Sequence, residues 1–273
     1  TSPDQIAIAP GTLEREWIDK GRRYFHYRMD KPMLNFYGFQ SARYEVRHDR
    51  WRDVTIDVYY HPGHDYNLDR MVRSIKASLE YYTANFSPYQ QKVVRIVEFP
   101  RYTASAQAYP GTIPYSEGLG FIARVDDENP KDVDYPFLVT AHEVAHQWWG
   151  HQLVPADTRG ATVLTETLAE YSALMVMKKT MGEHRMRRFL RYNLDRYLMG
   201  RAIENKKELP LAHNEDQGYI HHRKGGLAMY LLQDVLGEEK VNGVLHGLLA
   251  QHAFHGAPYP GVDVLTAALR RVT

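Results

Sequence analysis

Cysteine is absent from the 273 residues, which excludes disulfides, thiol nucleophiles and thiolate metal ligands and leaves histidines and carboxylates as metal donors. No run of 18 apolar residues occurs, so no segment reads as a membrane-spanning helix, and no signal peptide is visible. Charge of one sign is also missing: 34 basic against 33 acidic side chains give +1, and nothing points to a nucleic-acid partner. There is no internal repeat and no low-complexity stretch. What remains is ordinary globular material, 44% hydrophobic and 25% charged, enough for one large domain or two modest ones. The chain opens on Thr1 and is still patterned as a helix near Arg271, as expected of a piece of a longer protein.

The pattern along the chain predicts α+β. In residues 1–60 the short runs Leu34 to Tyr37 and Ala42 to Val46, and the alternation of Val54, Ile56, Val58 and Tyr60, read as strands; positions 11 to 28 show no clean period and read as irregular. From Asn67 an amphipathic helix runs to Phe86 and stops at Ser87-Pro88. Val93 to Phe99 is a buried strand, Pro100 to Pro114 a loop, and Gly120 to Val125 a further strand just after Glu117. Helical patterns follow at Glu183 to Met199, Tyr219 to Leu236, Glu239 to Phe254 and Asp263 to Arg270. The expected division is a β-rich part over 1–60 and a helix-rich domain over 61–273.

Between them lies the most informative stretch, Tyr135 to Tyr171. Asp134 suits an N-cap, Pro136 the first turn, and Phe137, Leu138, Ala141, Val144, Ala145 and Trp148 a buried face reaching Gly150. On that helix His142 and His146 fall one turn apart on one face, so two imidazoles can share a cation, with Glu143 beside them. The order H-E-x-x-H is the zincin signature: two metal ligands and a carboxylate able to take a proton from water. A catalytic zinc needs a third protein ligand. A second helical pattern from Thr162 to Gly182 offers Glu166 and Glu170, one turn apart; Glu166 is favoured because it lies nearer the helix start. Trp148 and Trp149 read as core, and Arg185, Arg187, Arg188 and Arg191 as a solvated face.

With H-E-V-A-H-Q-W-W-G at 142–150 and L-T-E-T-L-A-E-Y at 164–171, the chain resembles the aminopeptidase N family of zinc metallopeptidases. The resemblance implies a thermolysin-like catalytic domain preceded by the end of a β-rich domain, one Zn²⁺, a peptide substrate, and Glu166 as the third ligand. Nineteen residues separate His146 from Glu166, one more than in the family, and the surplus is expected at His151-Gln152. Pro114-Tyr115-Ser116-Glu117-Gly118 aligns with the family's G-A-M-E-N, keeping only the glutamate; the resemblance makes Glu117 the carboxylate that binds the substrate's α-amine. At His222-Arg223-Lys224-Gly225 the family has Y-x-K-G, whose tyrosine stabilises the oxyanion, so His222 is the expected replacement and Tyr219, one turn earlier, the fallback.

The phrases T-I-P-Y-S-E, M-V-M and Y-x-H-x-R-K-G are most similar to bacterial peptidase-like domains fused to permease segments of ABC-type transporters. That setting implies a membrane-tethered parent with this domain on the extracytoplasmic, periplasmic face of the inner membrane. The expected activity is removal of N-terminal residues, with Glu143 as general base. The alternatives are a catalytically weak peptide-binding or scaffold domain of such a transporter, and an endopeptidase.

Overall fold

The structure, a computed structural model, describes residues 1–129, 132–214 and 217–273. The chain divides into two compact units: Thr1–Leu79, Gln90–Val125 and Tyr135–Gln147 form the first, and Glu80–Tyr89, Asp126–Asp134 and Trp148–Thr273 the second. The class is α+β, as expected.

In the first unit a four-stranded sheet runs in the order β5 (Glu45–Trp51), β6 (Val54–Tyr60), β7 (Val93–Phe99), β8 (Thr112–Ser116). β5 pairs antiparallel to β6; β6, β7 and β8 are parallel. Parallel strands are covered on both faces: in β7 Val94, Ile96 and Val97 are fully buried around a buried Arg95, as is Ile56 of β6. Helix α1 (Leu68–Asn85) starts in this unit, where Met71 and Ile75 are fully buried and Ser74 Oγ donates to the carbonyl of Phe137 at 2.7 Å. That carbonyl belongs to helix α2 (Tyr135–Ala145), so the sheet and two helices share one core.

Smaller β elements precede the sheet. β1 (Ile6–Ile8) pairs with β4 (Gln40–Ala42), and β2 (Thr12–Asp19) with β3 (Arg22–Arg28). The β2–β3 hairpin corrects the expectation of an irregular segment at 11–28. Its turn places Lys20 and Gly21 at φ 47° and 71°, the left-handed pair a tight hairpin needs, and Trp17 stacks on its cross-strand partner Tyr24 at 5.2 Å. β2 is largely exposed on both faces, so it carries no alternating pattern for a sequence to display.

Two predicted strands do not form. Leu34 to Tyr37 lies outside the strands, its aromatic character used instead where Phe36 packs on Tyr109 at 4.8 Å. Gly120 to Val125 is not a strand because the side-chain amide of Asn67 takes the carbonyls of Gly120 and Ala123, each at 2.7 Å, and Gly120 presses so closely on Tyr115 that a Cβ would lie 2.2 Å from its ring.

The second unit is helical: the end of α1, then α3 (Leu168–Met181), α4 (Glu183–Ile203), α5 (Gly225–Leu236), α6 (Glu238–His252) and α7 (Val262–Arg270). Trp148 and Trp149 are fully buried core, as expected. Trp148 Nε1 donates to the Ser87 carbonyl and Trp149 Nε1 to Ser172 Oγ, each at 2.9 Å, beside the rings of Tyr82 and Phe86. Among the described residues no helix is long and apolar enough to cross a membrane.

Burial also sets a pH limit in the first unit. Removal from water pushes the phenols of Tyr44 and Tyr59 up to about 12, with the nearby carboxylates Glu98 and Asp57 adding to it. A raised phenol contributes stability that is complete below the unfolded value of about 10 and lost as pH rises toward 12. The urea midpoint should therefore fall between pH 10 and 12, and the double variant Tyr44→Phe/Tyr59→Phe should flatten that fall. An unchanged alkaline slope in the variant would contradict the assignment.

Candidate metal centre and its surroundings

Helix α2 carries the H-E-x-x-H motif. It is buried on nearly all sides, with Leu138, Thr140, Ala141, Val144 and Ala145 at 0–1% exposure, which explains why its apolar positions outnumber an amphipathic stripe. The regular helix ends at Ala145 rather than reaching Gly150. His146 still donates its N–H to the His142 carbonyl at 3.3 Å, whereas Gln147 tightens to an i→i+3 bond onto Val144. Gln147 then locks the helix end: its side-chain oxygen accepts from Gly111 N at 2.8 Å and its amide donates to the Tyr109 carbonyl at 3.0 Å. The sequence reading missed this residue, although its place directly after the second histidine was the available signal.

The two imidazoles meet edge to face, with Nε2 of His142 and Nε2 of His146 at 3.2 Å. Two nitrogens at about 2.0–2.1 Å from one tetrahedral zinc stand about 3.3 Å apart, so the pair fits that ion. Glu143 lies beside them, buried like His142. Elsewhere in the first unit Glu117 follows directly on β8; its Oε1 accepts from the N–H of Arg101 at 3.2 Å, and its Oε2 lies 3.9 Å from His64 Nδ1.

In the second unit the predicted helix from Thr162 begins as a π turn, Val163–Thr167, in which Leu168 N reaches back five residues to Val163 O, before α3 starts. A second π turn, Tyr219–Lys224, precedes α5 in the same way. Single π turns interrupt helices at functional positions, and these two hold Glu166 and His222. The turns are tied together by Thr167 Oγ1 donating to the His221 carbonyl at 2.6 Å. Gly225 permits this approach, since a Cβ there would lie 2.3 Å from Thr167 Oγ1.

The π turn also separates the two candidate glutamates. Glu170 is only 3% exposed at its side chain and is held by Asn193 Nδ2 at 2.8 Å and Arg223 Nη1 at 3.3 Å, with Arg223 also donating to Asn193 Oδ1 at 3.0 Å. Glu166 keeps 27% exposure and its Oε2 stands 3.4 Å from His222 Nδ1. Glu166 is thus the accessible carboxylate and Glu170 a structural one. Tyr219 turns elsewhere: its hydroxyl donates to Glu204, which also takes the Gln217 amide at 2.6 Å. Of the two oxyanion candidates, His222 is the one beside Glu166.

An α+β core with a buried helix presenting two convergent imidazoles and a carboxylate is the scaffold of a zincin-type hydrolase. The chain belongs to peptidase family M1: the model of the Peptidase family M1 domain matches residues 66–268. This bears out the resemblance to the aminopeptidase N family. Over 211 residues the chain is 23% identical to endoplasmic reticulum aminopeptidase 2 of Homo sapiens, covering 75% of this chain and 22% of that protein. Its fold is that of an M1 zinc metallopeptidase from Deinococcus radiodurans, with a TM-score of 0.74 at 18% identity over 99% of this chain and 58% of that one. A point variant of that metallopeptidase bound to a Tyr-Ser-Ala substrate gives 0.72 at 17% identity, over 98% and 58%. The chain therefore spans about a fifth of the curated relative and somewhat over half of the solved ones.

Proposed function

We propose that residues 61–273 form a thermolysin-like zinc metallopeptidase domain, with residues 1–60 the end of a β-rich domain, and that it removes N-terminal residues from peptides. The observation that carries this reading is the pair of His142 and His146 nitrogens 3.2 Å apart, with buried Glu143 alongside, in a chain of family M1. His142, His146 and Glu166 would hold one Zn²⁺. Their donor chemistry, two imidazoles and a carboxylate, is a catalytic zinc set, and the commitment of Glu170 to Arg223 and Asn193 supports Glu166 as the third ligand. When bound, zinc acts as a Lewis acid on the scissile carbonyl and lowers the pKa of water toward neutrality.

The chain's own groups do the rest. Glu143 takes the proton of the attacking water and returns it to the leaving amine. His222 donates to the carbonyl oxygen as charge develops on it, in the role the family gives to tyrosine. Glu117 accepts the α-ammonium, which confines cleavage to free N-termini. A membrane-tethered parent, with this domain on the extracytoplasmic face, is the setting we infer from the T-I-P-Y-S-E and Y-x-H-x-R-K-G phrases.

Elemental analysis paired with amino-acid anilides and their N-acetylated forms tests the proposal. One zinc per chain and cleavage of free-amine substrates only is the expected result. Equal cleavage of acetylated substrates would make the domain an endopeptidase, and zinc with no turnover would favour the peptide-binding reading, to which the exchange of tyrosine for His222 already lends weight.

A further inference from the structure

We propose that the buried pair Glu98–His64 is a positioning device that keeps one oxygen of Glu117 available to the substrate's α-amine; this rests on the amine-anchor reading of Glu117 given above. The three residues come together for a topological reason. β6, β7 and β8 are parallel, so their carboxyl ends lie along one edge, where ligand sites of parallel sheets form. His64 follows the end of β6, Glu98 is the penultimate residue of β7, and Glu117 comes directly after β8.

Glu98 is fully buried, and a buried carboxylate needs its lone pairs filled. Its Oε2 accepts the N–H of His61 at 2.5 Å, and its Oε1 accepts from Nδ1 of His64. The same nitrogen faces Glu117 Oε2 at 3.9 Å, beyond hydrogen-bond range. The other oxygen of Glu117 is taken by the Arg101 N–H at 3.2 Å, with the guanidinium Nε at 3.7 Å. Glu117 is therefore fixed through Oε1, and the imidazole N–H of His64, which could otherwise close off Oε2, is diverted into the protein by Glu98. A three-donor ammonium meets Oε2 without displacing a hydrogen bond from His64. Without the Glu98 charge, the imidazole N–H would turn to Glu117 Oε2 and compete with the substrate.

The test uses Glu98→Gln, which keeps size and an acceptor but removes the charge. With a free-amine anilide its KM should rise about tenfold, the factor that corresponds to about 1.4 kcal/mol, while kcat stays near wild type. The double variant Glu98→Gln/His64→Leu removes the competing donor and should recover most of the KM. Calorimetric binding of alaninamide, carried out in the Glu143→Gln background, should follow the same order, giving a readout independent of turnover. A loss in kcat alone, an unchanged KM in Glu98→Gln, or a double variant no better than the single one would overturn the inference. If instead Glu117→Gln leaves the KM of free-amine substrates unchanged, the anchor reading itself fails and takes this inference with it, an outcome set apart because it does not involve Glu98 or His64.

Discussion

Glu143→Gln is expected to keep zinc content and thermal stability while lowering kcat/KM by about 10²–10⁴-fold, the range contributed by a positioned general base. The exchange is nearly isosteric at a buried position, so the packing of α2 and the convergence of His142 and His146 should survive it. What is lost is the ability to accept a proton: an amide cannot take one from water near neutral pH. The loss should fall mainly on kcat, because Glu143 acts on the proton in flight rather than on substrate binding. Undiminished hydrolysis by a zinc-loaded Glu143→Gln protein would remove Glu143 from the mechanism.

The two glutamates of the next helix should separate in a way no single assay reveals. Glu166→Gln is expected to weaken zinc binding by more than about 100-fold, the upper end of what partners outside the ligand set cost, with little change in the metal-free melting transition. Glu170→Ala should do the reverse. It strips a buried carboxylate from Arg223 and Asn193 and breaks the Glu170–Arg223 pair, a change that costs about 3–5 kcal/mol of stability. Chelator competition and denaturant unfolding, run on both variants without metal and with zinc restored, distinguish them. A Glu170 variant that unfolds normally yet loses zinc would reverse the assignment.

The parts of this fold that were legible in advance share one property: their side-chain period survives in the final packing. α1, β6 and β7 lie within a residue or two of their expected limits because each buries residues at the spacing its backbone dictates. The β2–β3 hairpin was not legible because β2 buries little. Gly120 to Val125 misled because its carbonyls are taken by Asn67, more than 50 residues earlier, a partner no local window contains. The π turns were invisible for a related reason: a 3.6-residue period places Glu166 and Glu170 together, whereas the wider turn at Val163–Thr167 changes the register between them. That turn takes up one residue more than an α turn, so it is a second place, besides His151-Gln152, able to absorb the surplus residue between His146 and Glu166.

By itself the sequence determined the motif and its family, because H-E-x-x-H needs only the helical repeat to bring two imidazoles onto one face, and the absence of cysteine restricted the donors to histidine and carboxylate. Only the tertiary structure decided which carboxylate is engaged by Arg223 and Asn193, which of Tyr219 and His222 stands beside Glu166, and that His64 bonds Glu98 rather than Glu117. Each of these turns on partners far apart in the chain, brought together by packing, and a hydrogen bond depends on a few tenths of an ångström that no periodicity encodes.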